Sequence, residues 1–321
     1  MSLFKNIDRR FRKTKKDSFG NRSRYWYARN VVRNVFNDLK TAELAKVNFR
    51  SPIIMGFIPR SGSTWVTQMM SNLDRVVCIS DPLLERNAWL ASRKYNFKLR
   101  EQYLSEAEIC ETKDFLNDCF TCKARFTSAT TPKKINLDQS YTPFVKMANA
   151  NWCLPYLSKT FNAFAFQLVR HPISTALSQL NHWNMPFYLD KTIDRLLLNG
   201  HIDKDQYGRL LSIIDSSDQF SIRLAQTCIE TEFSLSRLPG LGVPCAKYEN
   251  LRDGSLYELS FLEKVDENWE DKLRRSFHIP SKTTQSTSTI GKAKYFEKAH
   301  IDIYKELTSS LRLTHTMENY N

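Results

Sequence analysis

The chain has 321 residues, 41% of them hydrophobic and 25% charged, a length and balance that suit one globular domain with a buried core and exclude a disordered or fibrous chain. Lys and Arg total 47 against 34 Asp and Glu, a formal charge of +13, a field that attracts polyanions, acidic surfaces or phosphorylated ligands. No run of eighteen apolar residues occurs, and Met1-Ser2-Leu3-Phe4-Lys5 lacks the apolar stretch of a secretory signal, so a protein without a membrane span, in the cytoplasm, is expected.

Residues 1–50 read as a basic, helical lead-in. Arg9, Arg10, Arg12, Lys13, Lys15 and Lys16 crowd one stretch of it, which reads as a solvated arm; no nucleic-acid-binding signature accompanies it, and no nucleic-acid partner is expected. Next, Ile53 to Ile58 is a short apolar run, followed by Pro59-Arg60-Ser61-Gly62-Ser63-Thr64-Trp65 and then a helical pattern of Trp65, Met69, Met70 and Leu73. A continuously apolar strand running through a loop into a helix opens a buried parallel βα unit. The loop puts small residues, hydroxyls and one cation at a helix N-terminus, where free N–H groups and the helix dipole suit a phosphate and a glycine lets an oxyanion come close. It is not a Walker A loop: the cation precedes the glycine, and no Lys follows it. A capped helix start is the plain structural alternative.

Further apolar runs lie at Val76 to Ile79, Phe144 to Ala148, Phe164 to Val169 and around Val243 to Lys247. Five such strands alternating with helices predict an α/β fold, a P-loop-like three-layer sandwich with a mostly parallel five-stranded sheet and helices on both faces, formed by residues 1–321 as a single domain. Ligands then sit at the carboxyl ends of the strands. Residues 90–140 and 184–240 are polar, helix-rich stretches read as insertions forming an acceptor pocket or lid. Arg170-His171-Pro172 follows the fourth run, and Ser178 stands eight residues after Arg170, a spacing at which a guanidinium fork and a hydroxyl can clamp one phosphate. The alternative there is a strand exit with proline opening a helix. Seven scattered cysteines argue against a disulfide framework, and Cys119 and Cys122 have neither a second pair nor nearby histidines to complete a zinc site, so no metal is expected.

The loop at Pro59 to Trp65 resembles the phosphosulfate loop of the sulfotransferases that use 3′-phosphoadenosine 5′-phosphosulfate (PAPS), which reads Pro-Lys/Arg-x-Gly-Thr/Ser-Thr followed by an aromatic or aliphatic residue. Arg170 and Ser178 resemble that family's 3′-phosphate site, and Lys247-Tyr248-Glu249-Asn250-Leu251 is similar to the segment that brings a tyrosine to the adenine. The resemblance implies that Arg60, Ser61, Gly62, Ser63, Thr64 and Trp65 bind the donor with Arg170, Ser178 and Tyr248, Trp65 stacking on adenine; either aromatic is otherwise a core residue. It implies Arg60 and Lys146 as the cations that meet the moving sulfo group, and no metal; the alternative for Lys146 is a surface lysine at a strand end.

Cytosolic phenol and steroid members carry Lys-x-His where this chain has Lys146-Met147-Ala148. The base position is more like that of tyrosylprotein sulfotransferases, whose catalytic glutamate matches Asp81; the alternative for Asp81 is an N-cap for a helix opening at Pro82. Glu85 and His182 stand in reserve as bases. In the hydroxyl-rich segment 284–294, Ser288, Lys292 and Lys294 match a loop that closes over the nucleotide in family members, or form a solvated loop. The expected reaction is sulfation of a hydroxyl or amine on a small molecule, such as a bacterial secondary metabolite or guanidinium toxin, releasing adenosine 3′,5′-bisphosphate. The alternatives are a non-catalytic nucleotide-binding protein on this fold, or a kinase-like phosphate binder.

Overall fold

The computed structural model describes residues 42–83, 106–124, 129–130, 135–181, 193–194, 196–197, 200, 202–216, 218–277 and 296–320. In chain order these form β1 (Asn48–Phe49), β2 (Ile53–Phe57), α1 (Ser63–Met70), β3 (Val76–Ser80), α2 (Glu106–Phe120), β4 (Ala129–Thr130) and β5 (Ser140–Ala148). They continue as α3 (Leu154–Phe161), β6 (Phe164–Val169), α4 (Pro172–Leu180), α5 (Lys204–Ser216), α6 (Gln219–Arg237), β7 (Cys245–Lys247), α7 (Tyr248–Arg252), α8 (Trp269–Arg274), α9 (Lys298–Ser310) and α10 (Thr314–Tyr320).

The strands make one sheet in the order β4-β3-β5-β2-β6-β7, with β1 also pairing β5. Every pairing is parallel except that of β3 with β4. Because a strand's side chains alternate between faces, an apolar run must bury both sets. Ile54, Val77, Ile79, Val145 and Ala165 pack with α2 and α3 through Phe115, Leu116, Leu154 and Leu157. Their neighbours Met55, Val76, Cys78, Phe144 and Phe166 pack on the other side with Trp65, Met69, Trp269 and Leu273 of α1 and α8. The expected three-layer α/β sandwich follows from this alternation. A third cluster, beyond the sheet, joins α4, α5, α6, α9 and α10 around Ile173, Leu210, Leu224, Tyr304 and Leu313.

Differences from the sequence expectation are local. The third expected strand begins at Ser140 rather than Phe144 and runs through Pro143. Pro143 is tolerated because β2 pairs with β5 only from Phe144 onward, so the missing N–H interrupts no bond to β2. Two strands of two residues, β1 and β4, are too short to leave a pattern. The described end of the basic lead-in is helical at residues 42–44 and then forms β1, and residues 1–41 lie outside the described residues. Within 90–140, α2 is an outer layer of the sandwich, with Ile109, Phe115 and Cys119 fully buried.

The path β2 to β3 to β5 stays on one side of β2, and the chain then crosses to β6 on the other side. Such a reversal leaves a crevice at the carboxyl ends of the strands. The loop after β2 sits at that point.

Candidate functional site

The loop is built by two backbone constraints. The Ser61 N–H donates to the Ile58 carbonyl at 3.0 Å, closing a tight turn, and Gly62 at φ 96° caps α1. An added Cβ at Gly62 would run into the Tyr248 ring, so glycine is required both for its conformation and for its close approach. The first intrahelical bonds run from Trp65 and Val66 to the Gly62 carbonyl, which leaves the earlier N–H groups of α1 free for an anion. Ser61 is fully buried, and its Oγ has no partner among the described residues. Ser63 is buried and Thr64 half-buried at the start of α1.

The two motifs meet. Arg60 Nε donates to Ser178 Oγ at 3.1 Å, Arg170 Nη1 donates to the Arg60 carbonyl at 3.1 Å, and Gln179 Nε2 donates to the Pro59 carbonyl at 2.9 Å. The Arg170 guanidinium lies 4.8 Å over the Tyr248 ring, a cation–π contact, and its Nε is buried without a hydrogen-bond partner among the described residues. Burial first, and then the neighbouring Arg170 charge, pull the Arg60 guanidinium below its ordinary value. Two like charges held together, with donors unspent, make a place where an anion relieves repulsion.

Trp65 meets the Tyr248 ring edge-on at 5.5 Å and Phe277 at 5.9 Å. Only 7% of Trp65 is exposed, so it acts as a wall of the crevice while it fills the α1 side of the core. Glu249, the next residue after Tyr248, accepts the His171 N–H at 3.1 Å. The segment after β7 thus grips the turn after β6 at two adjacent residues.

On the β3 side, Asp81 and Lys146 form an ion pair, Nζ to Oδ2 3.6 Å, each side chain 12% exposed. Asp81 Oδ1 accepts the Ala148 N–H at 3.1 Å, and the Asp81 N–H donates to the Lys146 carbonyl at 2.7 Å. Its φ of 48° is left-handed, unlike the extended conformation of a helix N-cap. Lys146 Nζ also lies 5.0 Å over the Phe57 ring, at the end of β2. Arg60, Asp81 and Asn149, which follow β2, β3 and β5 within a few residues, have φ of 77°, 48° and 54°. Non-glycine residues in this region carry strain of about 1–3 kcal/mol, and such strain gathers at functional sites.

Sequence reasoning missed several residues here. Gln179 ties the loop to α4. Asn149 Oδ1 and both amide atoms of Asn151 are buried without partners among the described residues. No residue-type pattern singles out an asparagine after a strand, so only the backbone geometry finds them. Ser288, Lys292, Lys294, Glu85 and His182 lie outside the described residues. All seven cysteines are free, Cys119 and Cys122 included. Among the described residues no group of His, Cys, Asp or Glu is arranged to hold a metal, and no helix is long and apolar enough to cross a membrane.

No family model matches the chain, and no curated protein matches it. Among solved structures the chain is similar to the mouse sulfotransferase SULT7A1 in complex with PAP, at 14% identity and a TM-score of 0.39 over 84% of this chain and 88% of that one. At that score the site rests on the chain's own residues.

Proposed function

We propose that this chain is a PAPS-dependent sulfotransferase acting on a hydroxyl or amine of a small molecule. The observation that carries the reading is the bond between Arg60 and Ser178, 118 residues apart, with Arg170 bonded to the Arg60 carbonyl. Two loops that separately resemble the two phosphate sites of one donor meet at one crevice.

In this reading Arg170 and Ser178 hold the 3′-phosphate, while Ser61, Gly62, Ser63, Thr64 and the start of α1 hold the 5′-phosphosulfate. Trp65 and Tyr248 flank the adenine, and Ser288, Lys292 and Lys294, outside the described residues, add further contacts to the donor. The donor displaces Ser178 from Arg60 and frees that guanidinium for the bridging oxygen, where charge gathers as the bond to sulfur breaks. The acceptor oxygen or nitrogen forms the new bond to sulfur as the old one breaks. Its proton passes to Asp81, the products are the sulfated acceptor and adenosine 3′,5′-bisphosphate, and Lys146 meets the sulfo oxygens. No step calls for a metal. Lys146 pairs with Asp81, so this carboxylate offers a cationic guanidinium acceptor no unbalanced negative charge.

The test is radiolabelled PAPS incubated with the protein and a metabolite pool, with the sulfated product identified by mass. Tight binding of adenosine 3′,5′-bisphosphate with no transfer to any acceptor would favour a non-catalytic nucleotide binder, and ATP turnover with no response to PAPS would favour a kinase-like protein. Asp81→Asn is expected to lower kcat at least a hundredfold with donor affinity little changed; near-normal turnover removes Asp81 as base.

A further inference from the structure

His171 stands between Arg170 and Pro172 in the turn from β6 to α4, and its imidazole faces two elements. Nδ1 accepts the Ile173 N–H at 3.2 Å, which caps α4, and the ring packs against that of Tyr320 in α10, centroids 5.2 Å apart. A ring nitrogen that accepts must leave the proton on the other one, so the neutral ring carries its hydrogen on Nε2. Phe296, Tyr304 and Tyr320 enclose the ring, with centroids at 4.8, 5.7 and 5.2 Å. Burial, opposed by the nearby Tyr320 backbone and aided by the Arg170 charge, pushes the imidazole down to about 4, so it stays neutral at physiological pH.

The partner helix is itself anchored. Glu232 of α6 accepts the His315 and Thr316 N–H groups at 3.2 and 2.7 Å, Tyr304 donates its hydroxyl to the Thr316 carbonyl at 3.0 Å, and Lys247 Nζ donates to Asn319 Oδ1 at 2.6 Å. The His171 backbone is held as well, by Glu249. Arg170 directly precedes this fixed residue, and Ser178 rides on the helix that its ring caps.

We infer that His171 is a positioning residue of the nucleotide site: by tying the start of α4 to α10 it sets the separation of Arg170 and Ser178 that a bound phosphate must match. This rests on the donor reading above. A side chain that merely filled space would leave the affinity of the folded protein unchanged when shortened. His171 is instead expected to act through cap and tether together, and asparagine supplies the cap without the tether.

The experiment titrates adenosine 3′,5′-bisphosphate into the full-length wild type, His171→Ala and His171→Asn by calorimetry, with circular dichroism to confirm folding and NMR of the imidazole. The wild-type ring is expected to carry its proton on Nε2 and not to titrate between pH 5 and 8. Alanine is expected to weaken binding about tenfold, and asparagine to recover part of that loss. A folded alanine variant with unchanged affinity overturns the inference while leaving the donor reading intact. A wild type that does not bind the bisphosphate removes the donor reading and this inference with it. If the alanine variant does not fold, Tyr320→Ala carries the test, since it opens the enclosure and keeps the cap. It is then expected to raise the His171 titration toward the ordinary range and weaken binding, and no change in either overturns the inference. The charged and titratable groups facing the ring are Arg170, Glu249, Tyr304 and Tyr320.

Discussion

Gly62 carries two separable constraints, and a double-mutant cycle can divide them. Its φ of 96° costs a residue with a Cβ about 1–2 kcal/mol, and the added methyl would collide with the Tyr248 ring, which in turn supports Arg170. Gly62→Ala is therefore expected to lower the melting temperature and to weaken adenosine 3′,5′-bisphosphate binding. Adding Tyr248→Ala opens space for the methyl but leaves the backbone strain, so the pair should be less destabilised than the sum of the two single variants. Simple additivity in a thermal melt would mean that the ring does not set the loop. At Arg60 the charge and the fork are separable too. Arg60→Lys keeps a cation and loses the planar fork that, once freed from Ser178, meets the 5′ anion at two oxygens, so binding is expected to weaken despite conserved charge. Equal calorimetric affinity would show that only the charge counts.

At the level of elements, α6 offers a clean pH prediction. Asp218 caps it, accepting the Phe220 and Ser221 N–H groups at 2.7 and 3.0 Å. The Ser221 N–H bond above all holds this carboxyl below its ordinary 3.8. A carboxylate favoured in the folded state adds stability above the unfolded value, and that stability is lost as pH falls through the folded value. Asp218→Ala should cost about 1 kcal/mol at pH 7, measured by urea unfolding, and the gap from wild type should close below about pH 4. A gap that stays constant down to pH 3 would mean that the charge is irrelevant. The elements also show what the sequence makes legible. Apolar runs at Ile53, Val76 and Phe164 became strands because both faces of a covered parallel sheet must be apolar, so the signal is continuous and local. Arg60, Arg170 and Ser178 were readable because each follows such a strand at a fixed offset. The start of β5 was hidden because Pro143 reads as punctuation, and only its position beyond the β2 pairing makes it tolerable. His171 and Gln179 were silent because their meaning lies in partners far along the chain, Pro59 for Gln179 and Tyr320 for His171, and Asn149 because a left-handed backbone and an orphaned buried oxygen leave no pattern of residue types.

For the whole molecule, the seven cysteines report how far the fold stays closed. Cys78 is buried on one side of the sheet, Cys119, Cys122 and Cys153 on the other, and Cys228 in the helical cluster beyond it. Burial pushes the Cys122, Cys153 and Cys245 thiols up to about 12 and the Cys78, Cys119 and Cys228 thiols above their usual value. Since the thiolate is the nucleophile, five thiols are doubly protected, by access and by ionisation, and the half-buried Cys245 chiefly by ionisation. Cys110 alone is exposed among them. A disulfide-exchange reagent at pH 8 is therefore expected to modify one thiol quickly and the rest only as the structure opens. Two or more fast thiols would contradict the packing of the three clusters. The slow phase then measures nucleotide linkage: a ligand that binds only the closed protein adds about 2.7 kcal/mol at a hundred times its Kd, which slows globally gated labelling about a hundredfold. Adenosine 3′,5′-bisphosphate should produce that slowing while leaving the fast thiol unchanged, because Cys110 sits on α2, the outer layer, and needs no opening to react. If the bisphosphate at saturating concentration leaves all rates as they were, the crevice at the carboxyl ends of the strands does not bind it.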